Sequence, residues 1–406
     1  GATIKKFDIP AYYRSSLTGR IKSLRQEADP RKKDRQPALL DLGPVRFLIP
    51  RHFGFCYGVE NAIEISYKAL EENPDKRVFL LSQMIHNQEV NRDLEDRGIR
   101  FIMDTDGTQF IPFSDLTPDD IVIIPAFGTT LEIEKLLQDK GIETKQYNTT
   151  CPFVEKVWKR STKLGNDNYT VIIHGKYGHE ETRATFSHSM NSAPSVVVRD
   201  MEEARKLGEV ILGKRSTEDF YDLFGNKYSP GFNPENDFER VGVVNQTTML
   251  ASETQAIADY FKQVLREKYA SDDHFADTRD TLCYATNDNQ DATIALLEEE
   301  ADVAFVIGGY NSSNTSHIAE LCEEAFPTYF INGASEIKSA GEVHHYDHAS
   351  HEMKITSEWM PDKKPITIIL TSGASCPDTI VDQVLERILS FFPDAADPEK
   401  MLADMA

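Results

Sequence analysis

Short apolar, β-branched runs return along this chain with helical patterns between them, and that alternation narrows the possible folds more than any other feature. The runs are "VRFLIP" from 45, "RVFLL" from 77, "IVIIPAFG" from 121, "YTVIIHG" from 169, "SVVVRD" from 195, "RVGVVNQTT" from 240, "DVAFVIGG" from 302 and "PITIILTSGAS" from 365. Between them lie stretches such as "GVENAIEISYKALEEN", "EKVWKRSTKLG" and "ASETQAIADYFKQVLREKY", whose apolar residues recur with helical spacing. Strands alternating with helices predict α/β layers built on mostly parallel sheets.

Several runs end alike. A strand stops at a small or polar residue, a loop rich in Gly, Ser, Thr, Asn or His follows, and a helix begins: "VIIHGKYGHEETRATF", "VVNQTTMLASETQAI", "VIGGYNSSNTSHIAEL" and "ILTSGASCPDTIVDQV". Open α/β sheets bind ligands beyond the carboxyl ends of their strands, where helix N-termini offer free N–H groups to anions. Ordinary helix capping would produce any one of these loops. Four together predict one anionic ligand.

The 406 residues, 40% of them hydrophobic, are enough for two or three domains. No run reaches the roughly 18 apolar residues of a membrane span, and no secretory h-region opens the chain. A cytoplasmic protein is expected, or one of the plastid stroma if the source is a photosynthetic eukaryote. The net charge of −22 disfavours nucleic acid as a partner. Residues 1–44 are the exception, with ten Lys or Arg against five Asp or Glu, and are expected to be a solvated arm. Residues 207–239, rich in Gly, Pro, Asn and charge, read as an insertion between strands. The expected division is an extension at 1–44, α/β units at 45–150, 151–282 and 283–390, and a tail at 391–406.

Five cysteines without a secretory signal point to a reducing compartment and free thiols. Cys56, Cys151 and Cys283 each stand just before a helical pattern, one per expected unit, where the helix dipole and free amides would lower a thiol's pKa. Their spacing is neither the paired CxxC of structural zinc nor a ferredoxin run. A buried core position is the alternative for each. Three converging loops would instead make a three-thiolate metal site with an open position. Cys322 lies inside a helical pattern and reads as filler, and Cys376 is assigned no role. In "HGKYGHEETRAT", His179 and Glu181 could bind an anion and deliver a proton. "HEETR" lacks the second histidine of HExxH, which weakens a zinc-hydrolase reading, and "HHYDHASH" at 344–351 reads as a solvated loop. Phosphate-loop, dinucleotide and serine-hydrolase motifs are missing.

The ordered set "FCYGVENAI", "HNQEVNRDLEDRGI", "TTCPFVEKVW", "HGKYGHEETRAT", "NQTTM", "CYATNDNQDA", "GGYNSSNTSH" and "TSGASCPD" resembles the 4-hydroxy-3-methylbut-2-enyl diphosphate reductases, last enzymes of the methylerythritol phosphate route to isoprenoids. The likeness spans about 45–390 and is nearest the longer form of plants and cyanobacteria. It implies three similar α/β units in a pseudo-threefold arrangement around one central 4Fe-4S iron-sulfur cluster. Cys56, Cys151 and Cys283 would be the cluster's ligands, and its fourth iron would have none from the protein. The implied reaction is two-electron reductive dehydroxylation of an allylic alcohol diphosphate to isopentenyl and dimethylallyl diphosphate.

By the same resemblance Glu181 delivers protons and Thr247 hydrogen-bonds near the substrate hydroxyl. His86, His179, Ser312, Ser313, Asn314 and Ser375 would cradle the diphosphate. Phe127 in "PAFG" stands where many members have a histidine, so one diphosphate contact is expected to be missing. Ferredoxin or flavodoxin is the implied electron donor, and the basic stretch at 31–35 could dock it. The alternative from another class is a non-catalytic iron-sulfur protein that senses diphosphates.

Overall fold

All eight apolar runs form strands, and each has a parallel neighbour. Residues apolar on both faces suit a strand covered by helices on both sides, which is the setting of a parallel sheet. Thr170–His174, Ser195–Val198, Val241–Asn245 and Val303–Ile307 are accordingly buried at every position. This computed structural model describes residues 7–10, 13, 15, 17–276, 279 and 281–405. The chain packs as two units.

The first unit comprises Gly1–Glu60, Ile85–Val90 and Tyr284–Ala406. Its five-stranded sheet runs in the spatial order Ala38–Asp41, Val45–Ile49, Ile366–Ser372, Val303–Ile307, Thr328–Ile331, parallel except for the first strand. Phe47, Phe305, Ile368 and Leu370 from the sheet meet Ile380, Val384 and Ile388 of the helix Asp378–Leu389 in one core. The division at 45 groups Val45–Ile49 with residues 45–150, but its strand partners are Ala38–Asp41 and Ile366–Ser372.

Two expectations are corrected in this unit. Residues 17–44 are no solvated arm: the helix Thr18–Ala28 places Leu17 and Ile21 in the core, and the Thr18 amide donates to Asp382 Oδ1 at 2.9 Å. Counting charges had hidden the apolar face between them. "HHYDHASH" is largely a strand and its turn, Glu342–Asp347 pairing antiparallel with Glu352–Ser357. Tyr346 supplies the reason, since its ring stacks on Tyr310 at 4.8 Å and meets Phe330 edge-on at 5.7 Å.

The second unit, Asn61–Met84 with Asn91–Cys283, contains two three-stranded parallel sheets. One has Val78–Leu80 between Arg100–Phe101 and Ile121–Ile123; the other has Thr170–His174 between Ser195–Val198 and Val241–Asn245. The insertion carries a helix, Thr217–Phe224, opened by a capping box between Ser216 and Asp219. Phe220, Phe224, Phe232 and Phe238 from this excursion share a core with Val196, Val243 and Phe261. Among the described residues no helix is long and apolar enough to cross a membrane.

Candidate functional site

Thr170–His174 and Val241–Asn245 are adjacent parallel strands, so the loops that follow them emerge side by side. The first loop leads into the helix Glu180–Met190 and the second contains Thr247. The Thr247 amide donates to Glu181 Oε2 at 2.5 Å and its hydroxyl to Oε1 at 2.7 Å. Burial pushes the Glu181 carboxyl up to about 7, against the pull of both Thr247 bonds. A fully enclosed carboxyl that keeps its proton to near neutral pH is suited to general acid chemistry. The Thr247 carbonyl in turn accepts from the Cys283 amide at 3.1 Å. Glu181, Thr247 and Cys283 form one connected group.

His179 caps the helix Glu180–Met190: its Nδ1 accepts from the Glu181 amide at 3.1 Å. Accepting there leaves Nε2 to carry the proton of the neutral ring, a donor suited to an anion. Phe127 meets the His179 ring edge-on at 5.2 Å. His174 is a satisfied buried group between Asn245 and Glu253, at 3.2 Å from each. Cys151 follows a stretch that runs alongside the sheet of Ile121–Ile123, with its amide donating to the Ala126 carbonyl at 3.0 Å, and opens the helix Pro152–Asn166. The expected lowering of its pKa is overturned. Burial pushes the Cys151 thiol up to about 11, although the Phe153 and Val154 amides favour the thiolate. Helix-terminal amides lose to desolvation at this depth.

In the first unit, Val303–Ile307 and Ile366–Ser372 are likewise adjacent, and their loops interlock. The Ala374 amide donates to Asn314 Oδ1 at 2.9 Å, and Ser375 Oγ donates to the His86 carbonyl at 3.3 Å. A side chain at Gly309 would run into that same His86 carbonyl, so glycine lets the loops close. His86, Ser312, Ser313, Asn314 and Ser375 are thus gathered and buried; His179 belongs to the second unit. Ser312 is occupied as the cap of the helix Ser313–Glu323, accepting from the Thr315 amide at 3.3 Å. Ser313 Oγ and Asn314 Nδ2 are buried with no hydrogen-bond partner. Buried donors are seldom left unmatched without a functional reason.

Cys322 and Cys376 lie in cores, and burial pushes the Cys322 thiol up to about 12. Charge on Cys283 adds to the upward push on the Cys151 thiol within the second unit, whereas Cys56 lies in the first unit, just before the helix Tyr57–Glu72, its carbonyl accepting from the Glu60 amide at 3.1 Å. Among the described residues, no three His, Cys, Asp or Glu side chains form a metal-holding group. The chemistry of the donors still fits: three thiols without an imidazole are the soft set that iron-sulfur centres take.

Three polar residues escaped the sequence reading. Gln246 Oε1 accepts from the Lys176 amide and from Thr182 Oγ1, both at 3.0 Å, stapling the Glu181 loop to the Thr247 loop. Its signal was an amide directly after an apolar strand. Tyr284, the residue after Cys283, accepts through its hydroxyl from the Tyr57 amide at 2.8 Å, beside Cys56. Glu180 accepts from Ser82 Oγ at 2.7 Å through Oε2 while Oε1 has no partner, and burial pushes it up to about 8. A raised folded pKa favours the folded state fully below the unfolded value and loses that contribution as pH rises through about 8. Glu180→Gln is therefore expected to remove a loss of stability on the order of a few kcal/mol between pH 5 and 9, read as unfolding midpoints across that range.

Residues 47–389 match the LytB protein family. A 4-hydroxy-3-methylbut-2-enyl diphosphate reductase from a Cyanothece species is 40% identical over 353 residues, covering 86% of this chain and 85% of that protein. One from a Synechocystis species is 39% identical, covering 86% of this chain and 91% of its own. A solved structure of (E)-4-hydroxy-3-methyl-but-2-enyl diphosphate reductase, the terminal enzyme of the non-mevalonate pathway, is 27% identical with a TM-score of 0.51, covering 85% of this chain and 99% of that one. The Plasmodium falciparum E-1-hydroxy-2-methyl-but-2-enyl-4-diphosphate reductase, at 21% identity, shares the fold with a TM-score of 0.62 over 87% of this chain and 90% of its own. With the family model and relatives of this identity covering most of its length, the chain belongs to the LytB family.

Proposed function

We propose that the chain is an oxidoreductase that converts (E)-4-hydroxy-3-methylbut-2-enyl diphosphate to isopentenyl and dimethylallyl diphosphate. The observation that carries this reading is Glu181: a buried carboxyl, held through both oxygens by Thr247 and protonated to near neutral pH. The reaction takes two electrons and two protons, breaks a carbon–oxygen bond and releases water. Glu181 supplies a proton to the departing hydroxyl, and Thr247 holds the carboxyl in place for it. In the first unit Ser313 Oγ and Asn314 Nδ2 donate to the diphosphate, with His86 and Ser375 beside these two; from the second unit His179 Nε2 is a further candidate donor. Neutral donors can bind a diphosphate in a buried cradle without Lys or Arg.

Cys56, Cys151 and Cys283 would hold a 4Fe-4S cluster with one iron lacking a protein ligand, which when bound supplies the electrons and a Lewis acid. The division at 150 and 282, with one thiolate from each part, belongs to this reading. An acidic one-electron carrier such as ferredoxin or flavodoxin is the proposed donor, and exposed Arg31, Lys32 and Lys33 give it a basic surface to meet.

The test is anaerobic incubation of reconstituted protein with the substrate and a reduced viologen. Both isoprenoid diphosphates are expected. Binding without consumption would overturn the enzyme reading in favour of a diphosphate sensor. In the same assay Asn314→Asp keeps the oxygen that accepts from Ala374 but replaces the waiting donor with a carboxylate oxygen. KM is expected to rise about 100-fold, with kcat changed far less, as uniform binding is lost.

A further inference from the structure

The loop that carries Cys56 is held on alternate residues by the chain's own N-terminal segment. Lys22 Nζ donates to the Phe53 carbonyl at 2.6 Å and to Asp378 Oδ1 at 2.7 Å, and lies 4.0 Å from the centre of the Phe53 ring. The Tyr13 ring meets Phe55 edge-on at 6.2 Å, and the Phe7 ring meets Tyr57 edge-on at 5.0 Å. Phe53, Phe55 and Tyr57 are thereby fixed around Cys56, and Phe7, Tyr13 and Phe53 are buried. Gly54 completes the fit. It has a φ of +79°, and a Cβ there would come within 2.5 Å of Asp378 Oδ1 and 2.7 Å of Lys22 Nζ.

The segment is itself anchored. Ser15 Oγ donates to Asp382 Oδ2 at 2.5 Å and the Thr18 amide to Oδ1 at 2.9 Å, so the strap is tied to the helix Asp378–Leu389 at a second point. All of these residues lie in the first unit. The strap also lies outside the part of the chain that matches the LytB family model, which begins at residue 47.

We propose that Phe7, Tyr13 and Lys22 clamp the Cys56 loop, with Lys22 as the positioning residue, so that the Cys56 thiol is presented in one conformation and parts slowly from what it binds. A loop with a left-handed glycine would otherwise sample many conformations and lose that freedom on each ligation. Lys22 joins the loop carbonyl to a carboxylate on a packed helix, which converts a local tether into a link with the core. The consequence for a cluster rests on the reading of Cys56 as its ligand; the clamp does not.

The experiment compares full-length wild type, Lys22→Met and Lys22→Arg. Without cluster, iodoacetamide labelling of each cysteine and hydrogen exchange of the amides at 53–57 are followed by mass spectrometry. Losing the two charge-assisted hydrogen bonds that join the Phe53 carbonyl to Asp378 is expected to raise both at Cys56 about tenfold in Lys22→Met. Labelling of Cys151 and Cys283 should not change, and Lys22→Arg should restore most of the protection. In reconstituted protein, iron release to a chelator should quicken by a similar factor. Wild-type labelling and exchange around Cys56 in Lys22→Met would overturn the clamp, as would a parallel rise at all three cysteines. Wild type that assembles no cluster would remove the ligand reading, while the labelling arm would still decide the clamp.

Discussion

Glu181→Gln lowers turnover by about 10²- to 10³-fold while leaving the cluster's visible absorbance intact; this is the expected cost of removing a positioned general acid. The substitution is gentle structurally. The glutamine oxygen can take the Thr247 amide, and the Thr247 hydroxyl can rotate to accept from the new NH2 group. The pH dependence separates a chemical role from a structural one. With its carboxyl pushed up to about 7 by burial, Glu181 holds a deliverable proton below that pH and loses it above. Wild-type kcat should therefore fall as pH rises through about 7, and the glutamine variant should lack that limb. Stability follows the same sign: the raised carboxyl favours the fold below its unfolded value and ceases to do so above about 7, so the variant should be no less stable in alkaline buffer. Turnover that is unchanged in Glu181→Gln, measured anaerobically with a reduced viologen, would remove this residue from the proton path.

Cys151→Ser should abolish both colour and turnover. A hydroxyl is a harder donor than a thiolate and holds its proton far more tightly, so on the proposed reading of Cys151 one of three ligands is lost. The fold should survive. Cys151 is the N-cap of Pro152–Asn166 but makes no side-chain cap bond, and serine is among the best residues for that position. The variant without cluster is thus expected to melt no lower than the wild type without cluster, with serine adding about 0.5–1 kcal/mol. Iron and sulfide counts beside a thermal melt give both answers. A variant that retains colour and activity would exclude Cys151 as a ligand.

The strands were legible because a parallel strand buried on both faces must be apolar throughout, and "TVIIH" or "VAFVI" has few other uses. The loops after them were legible as ligand-binding because they combine small residues with polar ones at strand ends. Their partners were not. Nothing in "SQMIH" says that Ser82 will meet Glu180, and nothing in "LTGRIK" says that Lys22 will reach Phe53, because both bonds depend on three-dimensional neighbours. The pKa of Cys151 failed for a related reason: a helix terminus is visible in sequence, whereas the depth at which it is buried is not. The insertion is different. Its "STED" is a capping box in plain letters, and the surrounding Gly, Pro and Asn drew attention away from it. Its phenylalanines then build an aromatic core on one sheet of the second unit.

The five-stranded sheet has a consequence for the order in which the protein is made. Val45–Ile49 emerges early from the ribosome, yet its parallel partner Ile366–Ser372 is among the last strands synthesised. That late strand also separates Val45–Ile49 from Val303–Ile307, so the sheet has no middle until it arrives. Until then the early strand pairs with Ala38–Asp41 alone and leaves its other edge open, whereas both sheets of the second unit are complete once Val241–Asn245 has been made. Cys151, Glu181 and Thr247 can thus be in place on a nascent chain whose Cys56 loop still waits for the Asp378 that anchors it.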